Sequence, residues 1–585
     1  MESLDLVVVG AGWSGLAAVK TYLEVNPSSN VALLDAASSV GGVWAKHRLY
    51  KGLKSNNMLG TYEFSDFPMD ASFGVKPGEH IPGHIVQSYL ESYADHFQFT
   101  DRIRLDTRVR SAEHKPNGSW LLAVSRRGGE ATIATKKLIM ATGITSEAYL
   151  PTFQGQEDFD APLFHCRDLL QHDKIFQPER RVAVFGGTKS AWDAVYACAT
   201  SGMQVDWIIR ESGHGPIWMA PPYVTPLKKW LEKLVTTRLL TWFSPCIWGE
   251  ASGFGGIVRR FLHGTWLGRK IVDGFWSVLA SDVIQLNAYD KHPETKKLKP
   301  WVSPFWIASS LSILNYPTDI FDLVRNGCIN VHIANIDRLS RNCVHLSTGA
   351  EVPATALVCS TGWRATPNIE FLPKGIDQSL GFPWAEDSID DTLVKKAGED
   401  IFERFPKLRT QPCPNPKFRP LTESAEAATP HPFRLHRFMV PTAFMQERSI
   451  AFVGVTMTIN TPLLAQTQAL WVAAYLSNRL TPAPLSRPPP SASGQDLKRK
   501  IPEQSSIELE WETALHTEFC KFRYPAGFGR RNPDFVFDAV PYVDMLLRDL
   551  GLDFVRRTGF WSMCLAPYGM EDYKGLVAEW LGGRR

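Results

Sequence analysis

Apolar residues recur along this chain in short runs of strand length, and two of these runs break straight into glycine. The first is residues 5–9, DLVVV, followed without a linker by Gly10, Ala11, Gly12, Trp13, Ser14 and Gly15. Such a run closed by glycine predicts a buried strand, with a helix from 16 to about 25 behind it and a second strand over 31–34. The pattern returns at 181–185, RVAVF, followed by Gly186, Gly187, Thr188, Lys189, Ser190 and Ala191, a helix, and a strand over 204–209. Between them, 84–97 has helical periodicity, 103–109 reads as a strand, and 120–124 with 131–134 reads as a hairpin around Gly128 and Gly129. Strands at 138–140 and 356–360 each run into a Thr-Gly pair, Thr142-Gly143 and Thr361-Gly362. Further strands are expected at 330–333 and 450–454, and a helix through 464–471. Alternating strands and helices of this kind predict an α/β fold with parallel sheets.

The glycines add chemistry to the pattern. Gly10 permits a sharp turn out of the strand, Gly12 lets backbone approach a pyrophosphate, and Gly15 lets the helix pack closely on the sheet. The helix N-terminus offers unpaired N–H groups to the phosphates. The second strand ends in Asp35, twenty residues past Gly15, where a carboxylate can accept hydrogen bonds from ribose hydroxyls. In the second copy Ala191 replaces the third glycine and Thr188 the middle one. Either the pyrophosphate sits farther out there, or Gly187 takes the approach role. The following strand ends in Arg210 rather than an acid, and a guanidinium can grip a 2′-phosphate that a carboxylate would repel. The first cradle is therefore expected to take FAD and the second NADPH, with Lys189 as a further phosphate contact.

Composition narrows the classes. The 585 residues are too many for one core. With 63 basic against 60 acidic side chains, nothing points to nucleic acid. Nine scattered cysteines without a CxxC read as a reducing compartment with no disulfide framework, redox dithiol or metal site. A strand beginning by residue 5 leaves no room for a signal peptide ahead of it. The stretch 300–318 is too polar to span a membrane, and WLGGRR closes the chain without a hydrophobic tail. A cytoplasmic protein is the expectation.

Past the first cradle, Gly41, Gly42, Val43 and Trp44 form a GG-x-W, and Asn56 is followed ten residues later by Asp66-Phe67-Pro68. On these residues, the two cradles and the two Thr-Gly turns, the chain resembles the class B flavin-dependent monooxygenases, the flavin-containing monooxygenase family, and most closely its fungal secondary-metabolism members. The resemblance implies that Asn56 neighbours the reacting flavin carbon, that backbone at Val109 holds the adenine, and that Thr142, Gly143 and Gly454 belong to the FAD site. It also implies the reaction: NADPH reduces FAD, oxygen adds at the flavin C4a position, and one oxygen atom passes to a substrate. Phe159 to Leu169 matches the family's FxGxxxHxxx(aromatic) fingerprint around His165, with Ala161 and Leu169 departing from it. Those departures and Thr188 keep open an oxidase or coupling enzyme without productive NADPH use, or a flavoprotein partner subunit in a biosynthetic assembly.

The expected layout is α/β with two Rossmann-type dinucleotide-binding domains, the NADPH domain inserted in the FAD domain, plus a mostly helical Trp-rich insertion and a C-terminal helical extension. The limits read from sequence are 1–175 and 346–480 for the FAD domain, 176–345 for the NADPH domain with the insertion at about 213–310, and 481–585 for a linker and the extension. Eight of the nineteen tryptophans fall between 218 and 306. That insertion could cap a cavity for a lipophilic small-molecule substrate, form an ordinary core, build a homodimer face, or make peripheral membrane contact through its tryptophans and cations.

Overall fold

The computed structural model describes residues 2–224, 228–249, 253–308, 311–364, 366, 368–413, 415–421, 430–480, 503–525 and 528–583. The linker expected over 480–500 lies almost wholly outside them. Two sheets organise the chain, the first with a parallel core and an antiparallel Trp120–Arg126, the second parallel throughout. In the first, Glu2–Val9 is flanked by Val31–Leu34 and Gly129–Met140, with Ile103–Arg104 beyond the former, all parallel. Ile450–Phe452, from the far end of the chain, also pairs with Gly129–Met140 in parallel. The second sheet runs Ile329–Ile333, Gln204–Ile209, Arg181–Phe185, Leu357–Cys359, Leu163–His165, again all parallel. The first sheet thus takes strands from both sides of the second.

Several strand limits differ from those read in the sequence. The second sheet draws on Leu163–His165 and Leu357–Cys359, both outside 176–345: Leu357–Cys359 is a fully buried run beside Arg181–Phe185, and Leu163–His165 pairs with it as the outer strand. The strand expected over 103–109 breaks into Ile103–Arg104 and Arg108–His114. Asp106 lies between them with a φ of 48°, its N–H on the Ala37 carbonyl. Residues 129–140, read as two strands, form one, because its first half pairs with Trp120–Arg126 and its end with Ile450–Phe452.

The chain crosses between the sheets at the two Thr-Gly turns, and the crossings lie side by side. Tyr149 N–H donates to the Gly362 carbonyl at 3.1 Å and Arg364 N–H to the Glu147 carbonyl at 2.9 Å. Behind the first sheet, helix Trp13–Val25 packs on Thr461–Leu476, which is buried at every position except Thr461 and Gln466. Gln466 reaches Asp66 at 2.7 Å, and Asp66 also holds buried Lys20, so the Asp-Phe-Pro run ties these two helices together.

Of the readings left open for the insertion, a core accounts for most of its tryptophans. Trp218, Trp242, Trp248, Trp276 and Trp306 are buried, Trp230 is half-buried, and Trp266 and Trp301 are exposed. Trp248 meets Phe438, Phe519 and Phe535 edge-on, and Trp276 meets Phe537, so this core is shared with the C-terminal extension. Buried ion pairs fasten the extension down: Arg238 to Asp544 at 2.5 Å, Arg434 to Glu518 at 2.9 Å, and Arg437 to Asp549 at 2.7 Å. Among the described residues no helix is long and apolar enough to cross a membrane.

Candidate functional site: two glycine cradles at the ends of parallel strands

The first cradle forms where Glu2–Val9 ends. Gly10 has a φ of 112°, and a Cβ there would overlap the Ala141 carbonyl oxygen, so only glycine fits. A Cβ on Gly15 would overlap the Gly10 carbonyl oxygen, which is how the helix comes so close to the strand end. Gly12 differs, since a Cβ there would meet nothing nearer than Gly42 Cα at 3.6 Å. The protein itself leaves that space open, which is what a bound pyrophosphate requires. Gly42, with a φ of 59°, faces Gly12 from the GG-x-W turn.

Asp35 closes the cradle. Its carboxylate accepts N–H bonds from Ala11 at 2.6 Å and Ala37 at 2.7 Å, while burial pushes its pKa up. Each oxygen keeps a lone pair for a ribose hydroxyl. One cleft is lined by Gly10, Asp35, Val109, Thr142 and Gly143 together with Arg108, Val455 and Arg531. Trp13 turns its ring into the core against Tyr62, Phe64 and Tyr89, leaving only its backbone for a ligand. Trp44 donates to the Tyr62 hydroxyl at 3.2 Å, whereas Val43 is exposed. Gly454 sits against Ser14, and its N–H donates to Gln468 at 3.1 Å. Gln468 also holds Tyr542, and Trp471 in the same helix donates to Asp549 at 2.9 Å.

Asn56 lies on the strand Lys54–Met58 and donates to Ser312 Oγ at 3.0 Å. Its neighbour Asn57 donates to the Ile459 carbonyl at 2.9 Å, so the strand is held between the insertion and the segment leading into Thr461–Leu476. Glu232 grips the same strand, accepting from Met58 N–H at 3.1 Å, Trp230 Nε1 at 2.6 Å and Thr61 Oγ1 at 3.2 Å. Burial raises this carboxyl to about 7 despite those donors.

The second cradle is more crowded. Gly186, at a φ of 141°, fits under the Ser360 carbonyl, where a Cβ would come within 2.5 Å of the oxygen. A Cβ on Gly187 would meet the Gly215 carbonyl at 2.8 Å, so its missing side chain makes room for the 213–215 turn. Thr188 and Ser190 are exposed at the start of Lys189–Thr200. Lys189 donates to Asp193 at 2.5 Å and to Asn315 at 3.1 Å, which engages two of the three donors of the ammonium expected to reach a phosphate. Arg210 donates to the Arg419 carbonyl at 2.5 Å, and Arg419 N–H returns a bond to the Ser212 carbonyl. His165 is buried on the outer strand, edge-on to Trp363 at 5.0 Å, and burial lowers it to about 4, so it is neutral at pH 7. The fold also gathers Cys343, His345 and Glu351 within 4.8 Å of one another, a trio the sequence did not suggest, with His345 already on Ser340.

Comparison with known proteins agrees with this arrangement. Residues 4–242 match the model of the flavin-binding monooxygenase-like family. The FAD-dependent monooxygenase rstn6 of Aspergillus nomiae is 34% identical over 99% of this chain and 98% of its own. An FAD-dependent monooxygenase of Pyrenophora dematioidea is 35% identical over 94% and 98%. This chain belongs to the flavin-binding monooxygenase-like family. Cyclohexanone monooxygenase from Rhodococcus sp. Phi1, crystallised with NADP+, shares the fold at a TM-score of 0.54 and 16% identity, covering 100% of this chain and 98% of that one. An ε-caprolactone-bound cyclohexanone monooxygenase gives a TM-score of 0.57 at 16% identity, over 100% and 99%.

Within this family frame, sequence reasoning missed the residues that come from far along the chain. Arg531 lines the first cleft from the C-terminal extension, and residues 415–419 close over the Arg210 turn. Neither carries a local motif. A lone Arg in an aromatic, amphipathic tail gives no signal until the fold brings it to the cleft.

Proposed function

We propose that this protein is an FAD-dependent, NADPH-consuming monooxygenase that transfers one oxygen atom of O2 to a lipophilic small molecule. The observation that carries the reading is the pair of glycine turns at the ends of parallel strands in two sheets, with Asp35 after one and Arg210 after the other. Gly10, Ala11, Gly12, Ser14 and Gly15 would hold the FAD diphosphate through backbone N–H groups and the helix N-terminus. Asp35 would take ribose hydroxyls, Val109 backbone the adenine, and Thr142, Gly143 and Gly454 would line the rest. Gly186, Gly187, Thr188 and Ser190 would face the NADPH diphosphate, and Arg210 its 2′-phosphate. The bound flavin supplies the redox and oxygen chemistry.

The chain's own part is positioning. Asn56 would stand beside the reacting edge of the flavin, fixed there by Ser312, with its strand locked by Glu232 and Asn57. Among the described residues of 253–286, exposed Trp266, Leu267, Ile271 and Val278 make an apolar face suited to a lipid surface from which such a substrate could be drawn. Two measurements test the reading: anaerobic bleaching of the flavin by NADPH, and the mass of product made under 18O2 from polyketide and terpenoid substrates. Bleaching with incorporation of one label supports it. A flavin that NADPH does not reduce would favour the oxidase alternative, to which the crowded second cradle and the engaged Lys189 lend weight.

A further inference from the structure

Three deeply buried arginines of this protein are held by carboxylates. Arg238 has Asp544, Arg434 has Asp387 and Glu518, and Arg437 has Asp549 and Glu512. Arg531 does not follow them. Its side chain is 7% exposed, its Nε donates to Asn532 Oδ1 at 2.8 Å, and among the described residues it forms no ion pair. Nη1 is buried with no acceptor, and the adjacent Asn532 Nδ2 is likewise buried without one. Burial alone lowers the guanidinium to about 10. A buried cation without a counterion is costly, and removing its compensation typically destabilises strongly. Two neighbouring donors left without acceptors point to an acceptor the chain does not itself supply.

The backbone of Arg531 is tightly held. Its carbonyl accepts from Phe433 N–H at 2.9 Å, the Pro533 carbonyl accepts from Met457 N–H at 2.9 Å, and Asp534–Phe535 pairs in parallel with Met457–Thr458. This stitches the C-terminal extension to the segment just after Gly454, and the side chain lines the same cleft as Gly10, Asp35, Thr142 and Gly143. Of the parts of FAD, only the diphosphate is anionic, and an arginine is the side chain best matched to it.

We propose that Arg531, reaching in from the C-terminal extension, binds the diphosphate of FAD, so that the extension forms part of the flavin site. The inference rests on the flavin reading above. It explains why a family fold carries a tail that is fastened by buried ion pairs and strand pairing: cofactor uptake would supply the missing counterion and lock the tail against the cradle.

The test is FAD binding to apoprotein, followed by flavin fluorescence, with ADP as a second probe carrying the same diphosphate without the flavin. R531Q is expected to weaken both FAD and ADP roughly ten- to a hundredfold, the range of a charged hydrogen bond, with R531K recovering part of the loss. In thermal unfolding, R531Q apoprotein should melt at or above the wild-type temperature, because a buried unpaired charge is gone, while its FAD-induced rise in Tm shrinks. A merely structural arginine would lower the apoprotein Tm and leave the ADP affinity alone, and that outcome overturns the proposal. Unchanged FAD and ADP affinities also overturn it, and would assign the cation to an anionic substrate instead. Wild-type apoprotein that takes up no FAD would overturn the flavin reading itself and this inference with it; uptake by wild type with no difference in R531Q overturns this inference alone.

Discussion

The two glycine cradles are near copies in sequence and differ in what walls them. The first is walled by the neighbouring strand end and its own helix: Gly10 and Gly15 spend their missing side chains on packing against Ala141 and on each other, and Gly12 stays open. The second is filled by loops that fold back over it. Gly187 is packed by the 213–215 turn, Gly215 lies under the Trp301 ring, Lys189 is held by Asn315, and Arg210 by Arg419. A motif reports the geometry of its own turn, and the shape of the site depends on what folds back over it. The first cradle could be read residue by residue, whereas the second could be read only for its sign of charge.

The comparison breaks most sharply at the glycines. Gly15→Ala places a methyl on the Gly10 carbonyl oxygen with backbone on both sides, so the loss should exceed about 3 kcal/mol, the upper end of ordinary overpacking. Gly12→Ala finds 3.6 Å to its nearest neighbour, so the apoprotein should keep its denaturation midpoint while FAD affinity collapses. Equal midpoints for the two variants would show that the roles of these glycines are not separable. In the second cradle Arg210→Ala should raise the NADPH KM roughly ten- to a hundredfold and hardly change NADH kinetics. Equal losses with both cofactors would mean that Arg210 serves mainly to hold Arg419.

A pH series sharpens the contrast from the insertion side. Glu232 has a folded pKa of about 7 against an ordinary 4.5, so the fold favours its protonated form. That contribution is fully present below about pH 4.5 and is lost as pH rises through 7, by up to about 3 kcal/mol. Glu232→Gln should match the wild type near pH 5 and lose less stability between pH 5 and 8, measured by denaturant midpoints. An identical pH slope in the variant would place the titration elsewhere.

Local periodicity made the strands Val31–Leu34, Arg181–Phe185 and Gln204–Ile209 legible to the residue, because each is an apolar run with a turn at its end. Asp35 was read from motif spacing and Val109, Thr142 and Gly143 from the family resemblance, and the fold brings all four to one cleft. What could not be read depends on contacts of high sequence separation. Leu163–His165 is three residues long and becomes a strand only beside Leu357–Cys359. Lys189 was read as a phosphate contact, and its hold on Asn315, 126 residues on, gave no signal in the sequence. The tryptophans between 218 and 306 resemble a substrate cap in composition, and only the helices beyond residue 503 reveal that they are half of a core.

The smallest expected effect on stability concerns a part of the insertion that stays exposed among the described residues. Trp266 is 68% exposed and Val278 70%, and Leu267, Ile271 and Val278 recur on one side of the helix Trp266–Leu286. Phe254 meets Phe560 at 5.2 Å, which joins this face to Trp561, 72% exposed, on the C-terminal extension. Residues 253–271 carry Arg260, Arg269 and Lys270, each at least partly exposed, and no acid, while Arg259 is buried with its guanidinium on the Thr241 and Ser244 carbonyls. Aromatic and aliphatic side chains beside exposed cations suit an anionic lipid surface, where the rings enter the headgroup region and the cations meet the phosphates. A second copy of the chain would bring the same three cations against themselves. The double variant Trp266→Ser, Leu267→Ser removes exposed groups only, so stability should move by less than about 0.5 kcal/mol. Sedimentation with phosphatidylserine vesicles should fall severalfold and should fall with salt in the wild type, since the cations act through a screened field. Binding unchanged by the double variant, or a wild-type dimer in solution that the variant converts to monomer, would assign this face to self-association instead.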